Sequence, residues 1–173
     1  TFHAPVYEVD YYNNEKSNEV ISKLKKLYNS LNCKNITFHA TSKMNYDYLI
    51  NNFKDYNISI ENPAPKEKGK IIFRKFLKKG LNLTLDVCHA IEYSKKELED
   101  LLKNEKIVEI HWSYSHKFRH DSAALKIDEN VKYMLNEIKK LNVPIIIEVS
   151  LRPEGKNKKI ISNEIKLLKS IEK

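Results

Sequence analysis

The sequence predicts an α/β fold of parallel βαβ units, of the (β/α)8 barrel type, on two observations. Short apolar runs alternate with amphipathic helices of about three turns, which is the pattern of a parallel sheet with crossover helices. The apolar runs end, one after another, in His, Asp or Glu, and a parallel α/β barrel carries its chemistry at the C-terminal ends of its strands.

The runs are 35–40, 58–61, 81–87, 107–112 and 143–149. β-branched content in Ile36-Thr37 and Ile145-Ile146-Ile147 favours strand over helix, and we expect near-continuous hydrophobic strands buried on both faces. Between them, Val20, Ile21, Leu24, Leu27, Tyr28 and Leu31 share one helical face. Helices are expected over Tyr46–Phe53 and over Lys70–Lys79, the latter ending at Gly80. Ser94 with Glu97 is a capping box that opens a helix through Leu102. Ile127, Val131, Met134, Leu135, Ile138 and Leu141 form a further apolar face, and Ile161, Ile165, Leu168 and Ile171 a last one. The Lys-rich segment Lys158–Lys173 is expected as an outer helix with a solvated face.

Five units are clear, and a sixth starts at Thr1-Phe2-His3, in what reads as the end of a strand with no initiator Met. A closed barrel of this type needs about 200 residues or more, and the chain has 173. The expectation is therefore a single domain, 1–173, lacking about the first two βα units, as a missing N-terminal segment or as units supplied by another chain or by self-association.

Composition narrows the class. At 41% hydrophobic, with three Gly and five Pro, the chain is neither a linker nor low-complexity. No apolar stretch reaches membrane-spanning length, and no signal peptide is visible. Cys33 and Cys88 lack CxxC spacing and fit a reduced, cytoplasmic setting. The formal net charge of +8 favours phosphate-bearing partners, nucleic acid or sugar phosphate, although lysines spread over many helices also serve as solvated faces.

The strand-end residues are His3, His39, Glu61, Asp86 with His89, His111 and Glu148. Any one of them alone is ordinarily a hydrogen-bonded structural His, a cap or an ion-pair partner. Six strands in succession ending this way point to a Zn²⁺ or Mn²⁺ site. Cys88, read as strand, would alternate away from Asp86 and His89 and serve packing. After His111 the segment 113–122 is polar, basic and rich in His (His116, His120), as an active-site loop would be. There Trp112 and Arg119 could stack on a base or wall a sugar pocket, or Trp112 could simply pack against the rim. Arg152 is placed to meet a phosphate or to sit in a surface turn.

Leu85-Asp86-Val87-Cys88-His89-Ala90 resembles the Asp-x-Cys-His segment of endonuclease IV, within the xylose isomerase-like superfamily of TIM barrels. Phe2-His3-Ala4-Pro5 followed by Tyr7 is similar to the His-Ala-Pro-Tyr segment of that family. Glu61, Asp86, His111 and Glu148 keep the family's order, spaced 25, 25 and 37 residues apart. The resemblance implies that these four hold a central metal shared with the sugar isomerases. It further implies a second site from His3 and His39 with Glu61 bridging, and a third from His89 and His120. Phe118 stands where the nuclease has a third-site Asp, so Asp121 or His116 would have to substitute.

Three functions follow as expectations. In a nuclease of the endonuclease IV type, one to three Zn²⁺ would polarise a phosphodiester at abasic sites in DNA and generate hydroxide, with Glu61 and Glu148 orienting water. In a sugar or sugar-phosphate isomerase or epimerase, one Mn²⁺ or Mg²⁺ would chelate substrate oxygens while Glu61 and Glu148 act as acid and base. His89, Tyr7, Trp112, Arg119 and Arg152 would line the substrate. The third expectation is a non-catalytic metal- or ligand-binding relative.

Overall fold

In the computed structural model of the chain, the described residues are 1–5, 9, 11–41, 43–104, 106–116, 119–122, 128–148 and 157–170. Side chains at 115, 116, 119–122 and 157–159 lie outside the description. The chain divides into two compact units, Thr1–Thr84 and Leu85–Lys173, with the boundary inside a strand.

In the first unit the elements run β1 (Phe2–His3), α1 (Glu15–Ser30), β2 (Ile36–His39), α2 (Tyr46–Asn52), β3 (Ile58–Glu61), α3 (Lys70–Lys78) and the start of β4 (Asn82–Asp86). All pairings are parallel, between consecutive strands, with His3 opposite Thr37 and His39 opposite Glu61. Two of the three helices begin at a capping Asn. Asn14 and Asn45 cap α1 and α2 by accepting from Ser17 N–H at 2.8 Å and Tyr48 N–H at 2.9 Å, satisfying donors that lack an intrahelical partner. At the end of α3, Gly80 takes a φ of +89°. Its N–H reaches Leu77 O at 2.8 Å, and the Leu81 N–H reaches Phe76 O at 3.2 Å. This paired closure needs a left-handed residue, which glycine adopts without a Cβ clash.

β2, β3 and β4 are buried on both faces, as expected, whereas β1 is half-buried; the buried strands are not apolar on both faces. Ile36, Phe38, Ile58, Ile60 and Leu83 form one buried set, with Phe38 packed edge-on against Phe53 and Tyr11. The alternate residues Asn35, Thr37, Ser59 and Thr84 are also buried, and they bond to one another. Asn35 Nδ2 donates to Ser59 Oγ at 2.7 Å, and Ser59 Oγ meets Thr84 Oγ1 at 2.6 Å. Thr37 Oγ1 meets Thr84 Oγ1 at 3.2 Å. Short hydroxyl side chains tolerate burial here because each supplies its neighbour's hydrogen bond.

In the second unit, the last two residues of β4 lead straight into α4 (Val87–Tyr93), followed by α5 (Lys95–Leu102), β5 (Ile107–Trp112), β6 (Tyr114–His116), β7 (Arg119–Ser122), α6 (Glu129–Ile138), β8 (Ile145–Ile147) and α7 (Asn157–Lys169). The capping box is present: Ser94 Oγ accepts from Glu97 N–H at 3.0 Å. β5 pairs with β8 in parallel, with His111 opposite Ile146. Two expectations are corrected. Cys88 is not on a strand; it sits in the first turn of α4, where it is buried. The segment after Trp112 is not an irregular loop, because β6 and β7 form an antiparallel hairpin.

Candidate metal centre

In the first unit, register brings three strand-end side chains to one point. β1 contributes His3, β2 His39 and β3 Glu61. His3 Nδ1 lies 2.9 Å from His39 Nε2, while Glu61 Oε2 lies 3.2 Å from His39 Nε2 and 3.8 Å from His3 Nδ1. These three ligand atoms form one of the groups spaced to hold a single ion. Zinc bonds of ~2.0–2.1 Å in a tetrahedral arrangement place neighbouring ligand atoms about 3.3 Å apart. The observed separations bracket that value, and the donor set of two imidazoles and a carboxylate suits Zn²⁺ or Mn²⁺. Glu61 is 1% exposed, and a carboxylate so buried is stable only among partners of this kind.

Residues that the sequence reading did not single out hold this cluster. Tyr11 is buried, and its hydroxyl donates to Pro5 O at 2.8 Å, in the segment just after His3. Burial pushes its phenol well above the ordinary value, because the phenolate would lose its hydration. Gly69, the residue before α3, lies against the backbone of Ala40, immediately after His39. A Cβ at position 69 would overlap the Ala40 carbonyl oxygen and sit 2.7 Å from its carbon. These are backbone approaches, which apolar periodicity does not reveal.

In the second unit, Asp86 ends β4 and at once caps α4: its Oδ1 accepts from His89 N–H at 2.7 Å. His89 Nδ1 lies 3.8 Å from Asp86 Oδ2. The capping explains why the two residues come together at a spacing of three. His111, fully buried on β5, stands between two carboxylates. Its Nδ1 faces Glu148 Oε2 at 3.2 Å, and its Nε2 faces Glu109 Oε1 at 3.4 Å.

The remaining candidates fall as follows. Trp112 is fully buried, and its indole N–H donates to Glu164 Oε2 of α7 at 2.7 Å, so it packs rather than lining a surface. Glu164 is therefore a buried acid on the helix expected to lie outermost with one solvated face. Tyr114 donates to Asp128, the N-cap of α6; burial first and this acceptor second push its phenol up to about 12. Arg119 and His120 lie on β7 with side chains outside the described part, as are the side chains of His116 and Asp121. Tyr7, Phe118 and Arg152 are outside the described residues. Among the described residues neither cysteine is in a disulfide, and no helix is long and apolar enough to cross a membrane.

Comparison with known proteins adds one finding. No family model matches the chain, and no curated protein matches it. Among solved structures it is similar to the probable 3-DHS dehydratase AsbF involved in petrobactin synthesis from Bacillus anthracis. The TM-score is 0.68 at 14% identity, over 98% of this chain and 76% of that one. That likeness shows the fold. The chain is α/β, of the TIM-barrel type. A shared barrel is compatible with many reactions, so the chemistry has to be argued from the side chains.

Proposed function

We infer that the chain is a divalent-metal-dependent enzyme of the xylose isomerase-like kind, acting on a small hydroxylated substrate such as a sugar or sugar phosphate. The observation that supports metal dependence, common to this reading and to the one below, is the convergence of His3, His39 and Glu61 at metal-ligand separations on strand ends. The solved structure of like fold is a dehydratase, which is compatible with small-molecule chemistry. Asp86, His111 and Glu148 are the ligands the second unit offers. A bound ion would polarise a carbonyl or hydroxyl oxygen of the substrate. The chain's own part is proton transfer, for which Glu61 is the carboxylate of this cluster.

A second reading, hydrolysis of phosphodiesters at abasic sites in DNA, is favoured by one observation. His3 and His39 are the pair that the endonuclease IV resemblance gives to an additional metal, and the net charge of +8 suits a polyanion. Two measurements separate the readings. Elemental analysis of protein purified without chelator would give one metal per chain for the first and two or three for the second. Incubation with sugar phosphates in D₂O would exchange a carbon-bound hydrogen under the first, whereas nicking of abasic DNA with steep salt dependence would replace it with the second. Protein devoid of metal and inert in both assays would refute both.

A further inference from the structure

We propose that Glu109 is a positioning residue for the metal centre, holding His111 from behind so that its Nδ1 is presented beside Glu148. The proposal rests on the metal-dependent reading above. Glu109 and His111 are two residues apart on β5, so strand alternation sends both side chains to one face. Both are buried, at 3% and 0% exposure. Both ring nitrogens face a carboxylate, Nε2 that of Glu109 at 3.4 Å and Nδ1 that of Glu148 at 3.2 Å, but the Glu109 side chain is sealed in at 3% exposure whereas Glu148, at 26%, is open to an ion. A neutral imidazole has one donor and one acceptor nitrogen. A carboxylate beside Nε2 favours the proton on that nitrogen, which leaves the Nδ1 lone pair for an ion. Carboxylates in this role fix the tautomer and ring orientation of a ligating His and raise its basicity. The expected role separates the two glutamates of this unit: Glu148 belongs with the ligand atoms, and Glu109 acts only through His111.

The test begins with Zn²⁺ and Co²⁺ affinity, by competition with a chromophoric chelator, in the full chain and in Glu109→Gln. We expect Glu109→Gln to keep its metal stoichiometry and bind about 10- to 100-fold more weakly. We also expect the visible spectrum of its Co²⁺ form to shift, a change that a purely structural residue would not produce, and Glu109→Asp to recover part of the loss. Unchanged affinity and spectrum in Glu109→Gln would overturn the assignment while leaving the metal reading intact. Loss of a whole equivalent of metal would make Glu109 a ligand and overturn it too. If the unsubstituted chain binds no metal, both readings fall together. A measurement without any variant covers the case in which Glu109→Gln does not fold. Long-range ¹H–¹⁵N correlation spectra of the Zn²⁺-loaded chain should show the His111 proton on Nε2, and a proton on Nδ1 would refute the proposal.

Discussion

Gly69→Ala sets two effects of opposite sign against each other. Gly69 has φ −80° and ψ −7°, angles open to any residue. By chain entropy alone, adding a methyl there would stabilise the fold by about 0.4–1 kcal/mol. The structure predicts the reverse. The new Cβ would overlap the Ala40 carbonyl oxygen and stand 3.0 Å from the Ala40 Cβ, and both obstacles are anchored to backbone, so they cannot swing away like the end of a long side chain. Overpacking of this sort costs about 1–3 kcal/mol. The net expectation is a loss of ~1–2 kcal/mol, read as a midpoint lowered by about 3–6 °C in a chain of this size. Urea denaturation gives the free energy and thermal melting the midpoint. Gly69→Ser controls for capping, because Ser is preferred over Gly before a helix yet carries the same Cβ. Both variants should lose stability to a similar degree, and metal affinity should weaken because Ala40 adjoins His39. A Gly69→Ser protein as stable as the parent would refute the close approach.

Further expectations concern single groups. Tyr11 has a folded-state pKa raised above its ordinary value of 10.0, so the folded chain keeps a proton that the unfolded chain loses. Stability from this group is present below pH 10 and declines above it, by at most about 1.4 kcal/mol per pH unit. Tyr11→Phe should flatten that decline relative to the parent while costing about 1 kcal/mol at neutral pH, and identical pH profiles for the two proteins would contradict it. Trp112→Phe removes the donor to Glu164 and should cost about 1.5–3 kcal/mol; a double-mutant cycle with Glu164→Gln that shows no coupling would exclude the bond as a stabilising contact. Glu61→Ala should strip most of the metal from the His3–His39 cluster by elemental analysis, and full retained occupancy would remove Glu61 from the ligand set.

The parts of this fold legible in the sequence are those written in periodicity. β3 and β5 fall on 58–61 and 107–112 as expected, and the apolar stripe of α6 and the Ser94 cap were readable because each follows a local rule. α4 was not, since Val87-Cys88-His89-Ala90 continues the apolar run of β4 with no turn residue between them. The one signal was Asp86, whose side chain serves as helix cap and which looked like a strand-end ligand only. The polar inner set Asn35, Thr37, Ser59 and Thr84 was likewise hidden inside runs that pass for hydrophobic. The His3–His39–Glu61 cluster was readable because each member closes its own strand and parallel register does the rest. Glu109 was passed over as part of an apolar strand, although its spacing of two from His111 carried the information. Gly69 and Tyr11 act through contacts distant in sequence, which a single chain read by pattern does not disclose.

The bonded set of Asn35, Thr37, Ser59 and Thr84 has a consequence for how this protein can change. Thr37 lies two residues before His39 and Ser59 two before Glu61, so the hydroxyls act as a ruler for the candidate ligands beyond them. A slip of one residue along β2 would turn Ile36 and Phe38 toward Ser59 and Thr84 and strand their hydroxyls, besides reversing His39. Alignment of the candidate ligands is thus guarded by residues outside the cluster. Their replacement has to be concerted: a lone Thr37→Val or Thr84→Val, though nearly identical in volume, orphans its neighbours' bonds, while an apolar interior would require several positions to convert at once.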